Sequence, residues 1–259
     1  MPIHAGPAWA PLFRWLGALL FLCSLAYFLL SYMTTFGAPT APIGPATGGA
    51  ATLAVAWNVT LFTVFALHHS VCARTPVRLW ISRLVPTALE RSTYIWIASL
   101  LLIAVCALWR PVPGVAWDAN QALRWPLRLL QLSGVWLTIR STAILDVQQL
   151  AGIADSGSLG PSPARDHSAH VPAPAEAPHV EFRTTGPYGW VRHPIYTGWF
   201  LIVFAVVPMT MTRLTFAVVS CAYVLIAIPL EERSMRAAAT HAYARYEAQV
   251  RWRLLPGVY

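Results

Sequence analysis

Two short polar clusters carry most of the chemistry that this sequence could do. The first is Gly186-Pro187-Tyr188-Gly189-Trp190-Val191-Arg192-His193-Pro194-Ile195-Tyr196-Thr197-Gly198, set immediately before an apolar stretch. It offers a backbone turn at Gly186-Pro187, a guanidinium at Arg192, a titratable imidazole at His193 and a helix start at Pro194. Gly198 allows another helix or a ligand to approach closely. The second is Glu231-Glu232-Arg233, at the end of the next apolar stretch. Two adjacent carboxylates at a helix C-terminus oppose the helix dipole, so something positive must compensate them. Successive helical residues point about 100° apart, so the two carboxylates cannot face one pocket equally. An interfacial belt of aromatic and basic residues accounts for the first cluster equally well, and a helix running out into water accounts for one of the two glutamates.

The elements that position these clusters are membrane helices. Of 259 residues 57% are hydrophobic and 11% charged, against about 25% charged in an average soluble domain. Between Trp15 and Ala73 there is no Asp, Glu, Lys or Arg. Six crossings are expected, over Leu12–Thr35, Thr52–Cys72, Ser92–Trp109, Trp125–Leu145, Ile195–Met211 and Leu214–Leu230. Arg128 and Arg140 leave the fourth only a short clean centre. The first apolar segment is too long for the core of a signal peptide and reads as an uncleaved helix. From Glu231 onward, charged residues alternate with Met235, Tyr243, Tyr246 and Val250, predicting an amphipathic helix on the cytoplasmic face that ends before Pro256. The fold class is therefore all-α, a polytopic bundle of five to six transmembrane helices in one domain spanning residues 1–259.

Charge and cysteine usage narrow the chemistry further. All 18 basic residues are arginine, which excludes Schiff-base or tuned-amine mechanisms. The net charge of +8 does not form a stripe, so no nucleic-acid partner is expected. Arg74, Arg78, Arg83 and Arg91 crowd one gap and place it in the cytoplasm, with both termini on the same side. Cys23, Cys72, Cys106 and Cys221 show no metal-ligand spacing, and no metal is expected. Residues 151–180, rich in Pro, Ala, Ser and His, read as a flexible cytoplasmic loop.

RTTGPYGWVRHPIYTGW, an apolar hairpin and LEERSMRAAATHAYARYEAQVRWRLLPG together resemble the isoprenylcysteine carboxyl methyltransferase and phospholipid methyltransferase superfamily, with its RHPxYxG and paired-Glu signatures. The resemblance covers residues 181–259. It implies an S-adenosyl-L-methionine site inside a helix bundle, which agrees with the lack of a strand followed by GxGxxG. By position, Tyr188, Arg192, His193, Tyr196 and Gly198 would line that site, and Glu231 or Glu232 would take the amino group or ribose.

LFTVFALHHSVCAR and VPTALERSTYIWIASLLLIAVCALWRPVPGVAW make the N-terminal half similar to NnrU-like proteins and to bacterial methanethiol S-methyltransferases. This extends the resemblance over nearly the whole chain, with residues 1–150 as the substrate side. It departs after Asp146, where DVQQLAGIAD and the Pro-rich insertion stand. The implied reaction is methyl transfer to a small thiol, methanethiol to dimethyl sulfide, at a bacterial inner membrane. Arg192, Arg74 and His69 are the candidates for stabilising a thiolate, while an ion pair of Glu90 with Arg74 or Arg91 would anchor two helices. Three other readings stay open: an isoprenylcysteine or phospholipid acceptor, an NADPH-dependent reductase with a similar RHPxYxG segment, and a non-enzymatic membrane component.

Overall fold

The computed structural model describes residues 9–37, 48–71, 85–86, 89–145, 182 and 184–259. Among the described residues seven α-helices carry the fold: α1 (Ala10–Thr34), α2 (Gly48–Val71), α3 (Glu90–Leu108), α4 (Gln121–Ile144), α5 (Pro194–Phe204), α6 (Met211–Ala238) and α7 (Thr240–Gln249). Four of them, α1, α2, α3 and α6, are long and apolar enough to cross a membrane. Large apolar side chains such as Leu12, Leu19, Leu30, Leu53, Leu129 and Ile226 are exposed along the helix flanks, as expected when the surrounding solvent is lipid. The chain is an all-α integral membrane protein.

The expected six crossings resolve into a different arrangement. The fifth expected crossing, Ile195–Met211, is an 11-residue helix, α5, ending at Phe204. At 1.5 Å per residue it spans about 16 Å, roughly half of a hydrocarbon core. Ala205–Thr210 finishes the excursion as irregular backbone containing a cis Val207-Pro208 bond. Its polar groups are satisfied by protein: β2 (Met209–Thr210) pairs antiparallel with β1 (Val115–Trp117), and the amide of Met211 donates to the Gly114 carbonyl at 2.9 Å. Thr212 Oγ1 accepts from the Val112 amide at 2.9 Å and lies 3.1 Å from the carbonyl of the same residue. Such internal satisfaction is what non-helical backbone at membrane depth requires. The expected fourth crossing is α4, which carries Arg124, Arg128 and Arg140 and is not among the candidate spans.

α6 corrects a second expectation. No boundary falls at Glu231; the helix runs through both glutamates to Ala238, and a separate short helix, α7, follows after Ala239. Pro229 sits inside α6 without ending it.

The core gathers Phe28, Tyr32 and Phe36 of the α1 end, Phe62 of α2, Trp109 and Phe216. The Phe216 ring contacts Phe28, Tyr32, Phe36, Phe62, Trp109 and Trp199. α4 and α5 meet at paired glycines. A Cβ on Gly134 would lie 2.7 Å from the Gly198 carbonyl, and one on Gly198 would lie 2.7 Å from the Gly134 carbonyl. Small residues thus let these two backbones touch, and Gln131 donates across the same seam to the Ile202 carbonyl at 2.9 Å.

One arginine holds the turn between α5 and α6. Arg213 is buried, with its guanidinium donating to the carbonyls of Phe36 (2.8 Å), Pro208 (2.8 Å), Tyr32 (3.2 Å) and Thr34 (3.4 Å). It thereby closes the C-terminal end of α1, whose last carbonyls have no partners within the helix.

Candidate functional site

The RHP segment and the paired glutamates meet at the opposite end of the α5–α6 hairpin. Pro194 starts α5 directly after His193, and Gly186 takes a positive φ of 60° where the preceding 3-10 turn, Gly186–Gly189, begins. The amides of Arg192 and His193 then donate to the carbonyls of Trp252 (2.8 Å) and Arg253 (2.9 Å). Thr197 Oγ1 donates to the Leu254 carbonyl at 2.8 Å. The segment after α7 is thus laid alongside the RHP turn like an extra strand.

Glu232 is the hub of this end. Its side chain is fully buried, and it accepts from Arg192 Nε at 2.9 Å, from Arg253 Nε at 3.0 Å and from Arg236 Nη2 at 3.3 Å. His193 Nε2 lies 3.2 Å from its Oε1. A buried carboxylate survives only when paired and hydrogen-bonded, and here both oxygens have at least two partners. Arg192 is equally committed: Nη1 donates to the carbonyls of Val250 (2.9 Å) and Arg251 (2.8 Å). Arg236 also bonds Glu247 of α7, tying that helix to α6. The Glu232 carboxylate beside Arg253 raises the pKa of that guanidinium above its ordinary value and keeps it charged.

Glu231 stands differently. Its side chain is 46% exposed, and it accepts a hydrogen bond from the Tyr196 hydroxyl while its Oε2 lies 3.8 Å from His193 Nδ1. The His193 and Tyr196 rings stack at 5.6 Å. Tyr188 completes the edge; burial, with the Glu231 charge adding, pushes its pKa up to about 12, so it is a neutral hydroxyl at ordinary pH. Its carbonyl accepts from the Tyr246 hydroxyl at 3.0 Å. The result is a half-open rim of one carboxylate and two phenols, with the buried His193 imidazole beneath it as part of a closed ionic base.

The structure therefore brings Tyr188, Arg192, His193, Tyr196, Glu231 and Glu232 together. It turns Gly198 away from this rim, against Gly134 and Thr138 of α4. Arg192 serves as a strut between Glu232 and the C-terminal segment rather than as a cation facing an acceptor. His69 lies on α2 at the same end of the bundle, in contact with Tyr94 of α3. Arg74 and residues 151–180 lie outside the described residues. Sequence reasoning missed Arg236, Arg253 and Tyr94 as partners. Arg236 is one helical turn after Glu232 and could have been found by i,i+4 spacing; nothing local marks Arg253.

An ionic hub carried by an RHP turn and a glutamate pair is matched by a family model. Residues 171–237 match the isoprenylcysteine carboxyl methyltransferase (ICMT) family. Over 213 residues the chain is 34% identical to a methanethiol S-methyltransferase of Mycobacterium tuberculosis, covering 81% of this chain and 78% of the relative. It is 32% identical over 245 residues, 88% of each chain, to a methanethiol S-methyltransferase of Pseudomonas deceptionensis. The chain belongs to this membrane methyltransferase family. A more distant likeness, 28% over 214 residues covering 78% of this chain and 73% of the relative, is to nurim of Sus scrofa. No solved structure matches this methyltransferase. As a methyltransferase it requires a methyl donor, and the rim around Glu231 is where the family motifs converge.

Proposed function

We propose that this methyltransferase takes its methyl group from S-adenosylmethionine and transfers it to a small apolar thiol, with methanethiol as the acceptor and dimethyl sulfide as the product. The observation that carries the donor assignment is the contrast between the two glutamates: Glu232 is fully buried and saturated, whereas Glu231 is exposed beside Tyr196. The residues fit the group. Glu231 can take an ammonium, and the faces of Tyr188 and Tyr196 suit a sulfonium. When bound, the donor supplies an electrophilic methyl group. The likeness to two methyltransferases named for methanethiol, over most of each chain, supports the thiol.

The residues then have distinct tasks. Glu231 anchors the donor's amino group, His193 and Tyr196 fix that carboxylate, and Glu232 with Arg192, Arg236 and Arg253 holds the RHP turn at one height. Positioning donor and acceptor in line is the main contribution a protein can make to such a displacement. We place this end of the bundle in the cytoplasm of a bacterium, with the protein in its inner membrane.

The test is incubation of the detergent-purified protein with methyl-labelled S-adenosylmethionine and methanethiol, longer thiols, a farnesylated cysteine analogue and phosphatidylethanolamine. Volatile label from methanethiol is expected, with donor binding lost in Glu231→Gln. Label moving only to the prenyl cysteine or to the lipid would overturn the thiol assignment. Absence of both transfer and donor binding would overturn the S-adenosylmethionine reading.

A further inference from the structure

The N-terminal half holds a polar cluster that the donor site does not use. At the end of α2, His69 is exposed and its Nδ1 lies 2.8 Å from the hydroxyl of Tyr94 on α3. That hydroxyl is also 3.4 Å from the His69 carbonyl. The position is held from several sides: His68 stacks on the Tyr94 ring at 5.1 Å, Phe65 stacks on His69 at 6.0 Å, and the Arg91 guanidinium sits 5.6 Å from the Tyr94 ring centre. Thr63 of α2 is hydrogen-bonded to Tyr223 of α6, and from that contact both helices run on in the same direction, α2 to His69 and α6 to Glu231. The His69–Tyr94 pair therefore lies at the same end of the bundle as the Glu231 rim.

We propose that Tyr94 and His69 are the catalytic pair that takes the proton from the acceptor thiol. This rests on the thiol reading above and extends it. A thiol attacks carbon poorly until it ionises, and in a donor site built from Glu231, Tyr188, Tyr196 and His193 the two groups able to accept that proton are already used, Glu231 on the donor's amino group and His193 on Glu232. The acceptor lies between the Tyr94 and Tyr196 hydroxyls. Its S–H bond breaks toward Tyr94 Oη while the Oη–H proton passes to the neutral His69 Nδ1, so one proton moves and Tyr94 ends as it began. The thiol sulfur forms the new S–CH3 bond with its freed electron pair, and the donor's own bond to that methyl breaks to leave a neutral thioether. One positive charge disappears from the donor as one appears on His69, so the charge of the site is conserved. Among the described residues, the ionisable groups around this imidazole are His68 and Arg91, which flank Tyr94, and the Tyr196–Glu231 pair of the rim. A short-lived imidazolium at an exposed position then returns its proton to water.

The test uses acceptors of graded acidity with the wild type, Tyr94→Phe and His69→Gln. General-base assistance is worth on the order of 10²–10⁴ in rate. Both variants should therefore lose about 100-fold or more in kcat with methanethiol, but less than about tenfold with the more acidic thiophenol, which ionises with little help. Donor affinity by calorimetry should not change in either. A readout independent of turnover is the ultraviolet absorbance of thiophenolate, which the wild type without donor should generate on binding thiophenol in mildly acid buffer and the variants should not. An equal loss across both acceptors, or thiophenolate formed as well by both variants, would overturn the pair while leaving the thiol reading intact. Collapse of donor affinity in both variants would likewise overturn it, assigning Tyr94 and His69 a structural role. Wild-type protein inactive on every thiol would instead overturn the reading on which the proposal rests.

Discussion

The two ends of the α5–α6 hairpin each bury a charge, and they bury it in opposite ways. At one end Arg213 faces only neutral partners, the carbonyls of Tyr32, Thr34, Phe36 and Pro208. At the other, Glu232 faces three guanidinium groups and an imidazole drawn from the RHP turn, α6 and the C-terminal segment. A cation held by backbone dipoles fixes helix ends and has no counter-charge to exchange. A carboxylate surrounded by an excess of cations needs further negative charge close by, and Glu231 and Glu247 provide it on either side. The first is a joint; the second is a foundation beneath the half-exposed Glu231.

The largest expected effect comes from removing the foundation. Glu232→Ala leaves Arg192, Arg236 and Arg253 without their shared anion, and breaking a buried ion pair from one side costs about 3–5 kcal/mol. Thermal unfolding in detergent should show that loss together with the loss of donor binding. Arg213→Met should cost about 1–3 kcal/mol, from carbonyls left without donors, and should leave donor affinity in the remaining folded protein unchanged. If instead the Arg213 variant lost donor affinity, the two ends would not be independent.

Gly198→Ala sharpens the comparison at the seam between them. The added methyl meets the Gly134 carbonyl at 2.7 Å, and overpacking of this kind costs about 1–3 kcal/mol. The expected outcome is a lower unfolding temperature with no direct effect on donor contacts.

The smallest effect is in alkali. The Tyr188 pKa is raised from its ordinary value of 10.0 to about 12. An unfolded chain releases that proton above about pH 10 while the folded one retains it, so stability from this group is complete below pH 10 and drains away as pH climbs to about 12. Unfolding curves for Tyr188→Phe should fall less steeply across that window.

How much of this was written plainly in the sequence depends on the range of the interaction. The membrane class follows from composition, and the RHP turn and the glutamate pair stand out because their residue types are costly at membrane depth. α5 reads as a full crossing because Ile195–Met211 carries no charge and is mostly apolar; its early end goes with the pairing of Thr212 and β2 to Val112 and β1, distant partners that leave no mark on the local pattern. The continuation of α6 through Glu231 is hidden for the same reason. Charged residues signal an exit from the membrane until their counter-ions are known, and those of Glu232 come from Arg192 and Arg253, far away on both sides. Gly198 is ambiguous in sequence because a missing side chain serves a ligand and a neighbouring helix equally; Gly134 decides it.

The Glu232 hub also orders the birth of the protein. Arg192 and His193 leave the ribosome first, Glu232 and Arg236 follow after a whole hairpin, and Arg253 comes last. Until Arg253 emerges, a carboxylate and its partial complement of cations must wait at the membrane surface with the strand-like segment that joins them still being made. The hairpin is therefore made before its hub is complete, and the Glu232 end can close only after Arg253 has been synthesised.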